Sequence, residues 1–145
     1  MRDNGHNNSQ LAKAESALQE LEAKLQHTRA LLEERKAQRL EIETQVKTIK
    51  STGDINDMMM LQSRTLAMDK AIADLKTSES ECVQRIESTR RYLYTLYVKL
   101  EKLRQEAATL ASQSSLPNQE QTLLPDEQAS LRRLRLQIQA ITGAE

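Results

Sequence analysis

The groups that could do chemistry in this chain are two histidines, one cysteine and 21 Asp and Glu side chains. A metal site needs three or four His, Cys or carboxylate ligands converging at short, regular spacing. His6, His27 and Cys82 are far apart in sequence, and no other imidazole or thiol exists. No Ser-His-Asp set is present, and three glycines make no phosphate-cradling loop. The carboxylates are scattered through stretches of helical period, where they solvate outer faces. The chain is therefore expected to be no enzyme. No catalytic, cofactor-binding or metal residue is assigned, and no small-molecule substrate.

Recognition chemistry is better represented. Ile55, Met59 and Met60 gather beside a helix-breaking stretch, and methionine-rich apolar surfaces adapt to partner proteins. All three tyrosines of the chain lie in Arg90-Arg91-Tyr92-Leu93-Tyr94-Thr95-Leu96-Tyr97-Val98-Lys99. Tyr94 and Val98 are four apart, with Arg91 three before Tyr94, so one helical face presents all three. Tyr and Arg are enriched where protein interfaces hold their binding energy. Ile55, Met59, Met60, Arg91, Tyr94, Tyr97 and Val98 are the candidate partner-binding residues. The tyrosines have a second reading, as plugs for a junction between helices. Residues 85–104 also hold six Lys or Arg against two Glu. That excess could meet an acidic polymer, either nucleic acid or a cytoskeletal filament.

These residues must be positioned by helices. From Met58, alternate steps of three and four pass Leu61, Thr65, Met68, Ile72, Leu75, Glu79, Cys82, Ile86, Thr89, Leu93, Leu96, Leu100, Leu103, Ala107 and Leu110. Only Thr65, Glu79 and Thr89 break the apolar seam, and no Pro or Gly interrupts it. Such a heptad seam predicts one helix over 58–112, roughly 80 Å long at about 1.5 Å per residue. A second seam runs Leu11, Ala14, Leu18, Leu21, Leu25, Thr28, Leu32, Arg35, Arg39, Ile42, Val46, Ile49. It predicts a helix over 9–50, capped by Asn8 or Ser9. Its polar middle, with Leu31, Ala37 and Leu40 off the seam, predicts a local rotation of the contacting face.

The predicted fold is all-α: a long antiparallel coiled-coil hairpin, 9–112, with a loop at 51–57. In that loop Gly53 ends the first helix, and Asp54 or Asp57 caps the second. Setting Ile49 against Met58 places Leu25 beside Cys82 and Thr28 beside Glu79. On the edges Glu15 then faces Arg90, Lys36 faces Asp69 and Arg29 faces Lys76. Residues 113–126, with two prolines, read as a linker, and Pro125-Asp126-Glu127 as the first turn of a third helix to about Thr142. Its seam of Leu131, Leu134, Ile138 and Ile141 matches Leu110, Ala107, Leu103 and Leu100 when folded back on the second helix. Residues 1–8 read as a disordered tail, and 143–145 as a short end.

Composition agrees. Charged residues make up 29%, and there is no Phe or Trp, as in long helices rather than a compact core. Lys plus Arg equals Asp plus Glu at 21 each, which argues against a general nucleic-acid binder. No apolar run reaches membrane-spanning length, and no signal core opens the chain. The single cysteine forms no internal disulfide. The expected role is a structural or adaptor subunit, cytoplasmic or nuclear, with protein partners in a homo- or hetero-oligomer. The acidic-polymer module working through 85–104 is the alternative.

Overall fold

The computed structural model describes residues 9–112 and 123–143. It contains three helices: α1, Gln10–Thr52; α2, Ile55–Ser112; and α3, Pro125–Thr142. No strand occurs among the described residues. The expected tail at 1–8, most of the linker and residues 144–145 lie outside them.

Each helix end has a local cause. Ser9 starts α1: its Oγ accepts the Ala12 N–H at 3.1 Å and its carbonyl accepts the Lys13 N–H at 3.0 Å. Gly53, at φ 76°, closes α1 by donating its N–H to the Ile49 carbonyl at 2.8 Å. The left-handed turn suits a residue without a Cβ. Asp54 then caps α2, its Oδ1 accepting the N–H groups of Asn56 and Asp57 at 3.0 and 3.2 Å. The connection thus shrinks from the expected 51–57 to Gly53 and Asp54. In α3, Pro125 fills the first position, where a missing N–H costs nothing. Glu127 accepts the Leu124 N–H at 3.0 Å. Gly143, at φ 75°, terminates the helix on the Gln139 carbonyl.

Contacts divide the chain into two compact units: Met1–Gln19 with Glu87–Glu145, and Glu20–Ile86. The first holds parts of all three helices. Its core is Ala14, Leu93, Leu96, Leu100, Leu103, Ile138 and Ile141, with Leu11, Leu18, Ala107 and Leu134 packed against it. Ile141 is the most enclosed, 1% exposed. Burial of an aliphatic side chain of this size contributes about 1.5–3 kcal/mol, so α3 is held mainly by Leu131, Ile138 and Ile141. Leu123 is buried too.

The second unit holds only parts of α1 and α2. They run in opposite directions there: Arg29 meets Glu79, and Arg39 meets Asp69. Cys82 is buried and its thiol donates to the Leu21 carbonyl at 3.1 Å. Leu32, Ile42, Leu61 and Ile86 are also buried, whereas Leu21, Leu25, Ile49, Met68, Ile72 and Leu75 are only half-buried.

Between Thr28 and Arg39 the seam keeps its face instead of rotating: Thr28 and Leu32 are buried and Arg35 and Arg39 half-buried, while of the off-seam residues Leu31 is half-buried and Ala37 and Leu40 face solvent. The cause is the length of arginine: its stem lies along the seam and its head leaves it. Arg39 donates from Nε to Asp69 at 2.7 Å and from Nη1 to Glu43 at 3.1 Å. Glu79, the one acid on the α2 seam, accepts from Arg29 Nε at 2.9 Å. These edge pairs replace two expected ones, Lys36 with Asp69 and Arg29 with Lys76. Each new partner is three residues away, about 4.5 Å along a helix. A long guanidinium spans that distance to reach a carboxylate.

Candidate partner-binding surfaces

In the two-helix unit, Ile55 opens α2 and is 74% exposed, Met59 is 62% and Met60 is 55%. Met59 and Met60 face different sides of α2. Successive helical residues diverge by about 100°, and Met60 lines a groove of about 310 Å³ with Ile49, Asp57, Leu61 and Arg64. Ile55 and Met59 are four apart and share a different strip, which Leu66, 72% exposed, continues. Leu66 also lines a wider groove of about 510 Å³ with Val46, Lys47, Lys50, Gln62 and Thr65. Sequence reasoning missed Leu66. It follows the seam residue Thr65 directly, and the spacing from Ile55 and Met59 was the available signal.

Arg39 also lines that groove. The hydrogen bond it donates to Asp69 holds its guanidinium above the usual arginine value, with the charges of Asp69 and Glu43 adding to the effect against partial burial. Both acids of this flank are thereby engaged. Lys47 and Lys50 are exposed and form no ion pair among the described residues.

The second surface belongs to the three-helix unit. Tyr94 is 71% exposed, and Tyr92, Tyr97 and Val98 are close to half. Arg91 is exposed beside them. Leu93, Leu96, Ile138 and Ile141 fill this unit's core, so the tyrosines stand outside it. Arg91, Tyr94 and Val98 form one outward strip, with Tyr97 on its margin. The Tyr97 hydroxyl donates to Glu15 Oε2 at 3.0 Å. That hydrogen bond, then partial burial, then the Glu15 charge raise the Tyr97 pKa above the ordinary phenol value. Ionisation would remove the donor and set two anions together. All six cations of 85–104 are exposed.

No family model matches the chain, and neither does any curated protein or solved structure.

Among the described residues no three His, Cys, Asp or Glu side chains are grouped to hold a metal ion. His27 is exposed, and His6 lies outside the described residues. No described helix is long and apolar enough to cross a membrane. The two surfaces offer cations, aromatic and thioether groups, and shallow apolar relief. Such chemistry suits holding another macromolecule.

Proposed function

We propose that this chain is a non-catalytic adaptor subunit, an antiparallel coiled coil whose outward faces hold other proteins. The observation that carries this reading is the alignment of large apolar side chains on solvent-facing strips: Ile55, Met59 and Leu66 in one unit, Tyr94 and Val98 in the other. Single exposed apolar residues are ordinary on any protein, but aligned ones mark binding faces. Coiled-coil packing is supported by the α2 seam, where none of the sixteen positions from Met58 to Leu110 is exposed. Affinity purification from the native cell tests the adaptor role. The paired variants Met59→Glu with Leu66→Glu, and Tyr94→Glu with Val98→Glu, should each lose proteins that the parent chain retains. Identical sets from all three chains, or no co-purifying protein, would remove the proposal.

A second reading, binding to an acidic polymer, is favoured by the six exposed cations of 85–104 interleaved with exposed tyrosines. Binding of that kind weakens steeply as salt rises, since each neutralised phosphate releases a counterion. A flat salt titration against single-stranded DNA would exclude nucleic acid as that polymer.

A further inference from the structure

We propose that the flank made by Val46, Lys47 and Lys50 of α1 with Ile55, Met59 and Leu66 of α2 seats one amphipathic helix of another protein, acidic along its edges. The inference rests on the adaptor reading and adds the chemistry of one partner.

Three observations lead to it. Ile55, Met59 and Leu66 are separated by four and seven residues, so they form a straight strip three turns long. Where the chain supplies a third helix, in the other unit, four successive α2 seam leucines are buried. Here no third helix is present among the described residues, and most seam residues stay half-buried. Charge then selects the occupant. Arg39 already pairs with Glu43 and Asp69, and Lys47 and Lys50 form no ion pair among the described residues, so an acidic partner can neutralise them. An incoming helix with Glu or Asp beside its apolar stripe meets both needs, in the manner of helix-in-groove recognition.

Two other occupants fit less well. The chain's own α3 has its apolar side committed, with Ile138 and Ile141 in the three-helix core. A second copy related by a two-fold axis would present the same patch to itself. It would bring two more cations to the contact and no uncommitted acid. Three exposed side chains also fall well short of the roughly 800 Å² per partner that a stable dimer buries.

The test uses the full-length chain and two labelled peptides of about fifteen residues, stapled because a free helix that short is marginal in water. Both carry Leu at one i, i+4, i+7, i+11 stripe; one has Glu on the flanking positions and the other Lys. The Glu peptide should bind with micromolar affinity that falls as salt is raised. The Lys peptide should bind at least about tenfold more weakly, through like-charge repulsion. Lys47→Glu with Lys50→Glu should invert that preference. Met59→Glu with Leu66→Glu should abolish binding without loss of helix by circular dichroism, since both side chains are exposed in the free chain. Equal binding of the two peptides, or binding of neither, overturns the proposal. So does a dimer of the free chain, seen by sedimentation and broken by the Met59/Leu66 variant, because a second copy would then be the occupant. Peptide failure alongside proteins lost by the Tyr94/Val98 variant would leave the adaptor reading standing and remove only this inference.

Discussion

The two units carry apolar seams at the same spacing and reach different burial. In the unit of Met1–Gln19 and Glu87–Glu145, Leu93, Leu96, Leu100 and Leu103 are all buried. In Glu20–Ile86 the corresponding steps Met68, Ile72 and Leu75 are half-buried. Side-chain type explains little of the contrast, since Ile72 and Leu75 are as apolar as the four leucines and Met68 is a long apolar chain too. The number of helices does. Two helices shield the line where they touch, which buries Leu32, Ile42, Leu61, Cys82 and Ile86, but Met68, Ile72 and Leu75 between them keep an open shoulder. A third helix laid on the pair removes one flank from water, and with Ile138 and Ile141 the shared core closes. One unit is completed by the chain itself, and no third helix covers the other among the described residues.

The largest expected effect that sharpens this contrast is Leu96→Asp. A carboxylate placed in the three-helix core has no partner, and the loss should be several kcal/mol, about 3–5, in urea denaturation. Tyr94→Asp, two residues earlier but on the outward strip, should stay within about 0.5 kcal/mol. Equal losses would break the assignment of faces. Next come matched truncations. Ile141→Ala should cost about 3–4 kcal/mol, because a closed core leaves a cavity. Leu75→Ala should cost about 1–2 kcal/mol, since its surroundings are partly water already. Reversal of that order would contradict the distinction between the units.

Smaller effects concern the charged seam positions. Glu79→Ala removes a cross-helix pair that solvent screens and should shift stability by no more than about 1 kcal/mol, less at high salt; Arg39→Ala also removes the stem that lies along the seam, so part of its loss should persist at high salt. Smallest is Tyr97→Phe. Its raised pKa means the Glu15 contact contributes below the ordinary phenol value and is lost as pH rises through the higher folded value. With Tyr97 about half exposed, the contribution is discounted to below about 1 kcal/mol. Parent and variant should differ slightly at neutral pH and converge in strong alkali. A gap that widens with pH would reverse the sign.

The seams were legible because burial follows the three-four rhythm wherever apolar residues keep it, Met58 to Leu110 without exception. The expected rotation around Thr28 to Arg39 failed because periodicity counts arginine as polar, whereas its stem can lie in a seam while its head pairs with Asp69. The short connection was hidden in Ile55, Asn56 and Asp57, which read as loop until Asp54 is seen accepting the amides of Asn56 and Asp57. Leu123 lies in a proline-bearing stretch with no period, so nothing in its spacing announced burial. Of the candidate partner residues, exposure at Ile55, Met59, Tyr94 and Val98 follows from positions off the seam. The spacing of Leu66 from Ile55 and Met59 marks one strip, whereas which flank of α2 the α1 helix leaves open is not encoded in a one-dimensional pattern.

Native-state hydrogen exchange followed by mass spectrometry tests the contrast between the units most directly. Amides of 93–103 and 131–141 should exchange slowest, close to the global unfolding limit. Amides of 61–75, in the same helix as 93–103 but beside an open flank, should exchange markedly faster, and should slow when the acidic stapled peptide is bound. Equal protection of the two stretches in the free chain, or greater protection of 61–75, would show that the two-helix unit is already closed.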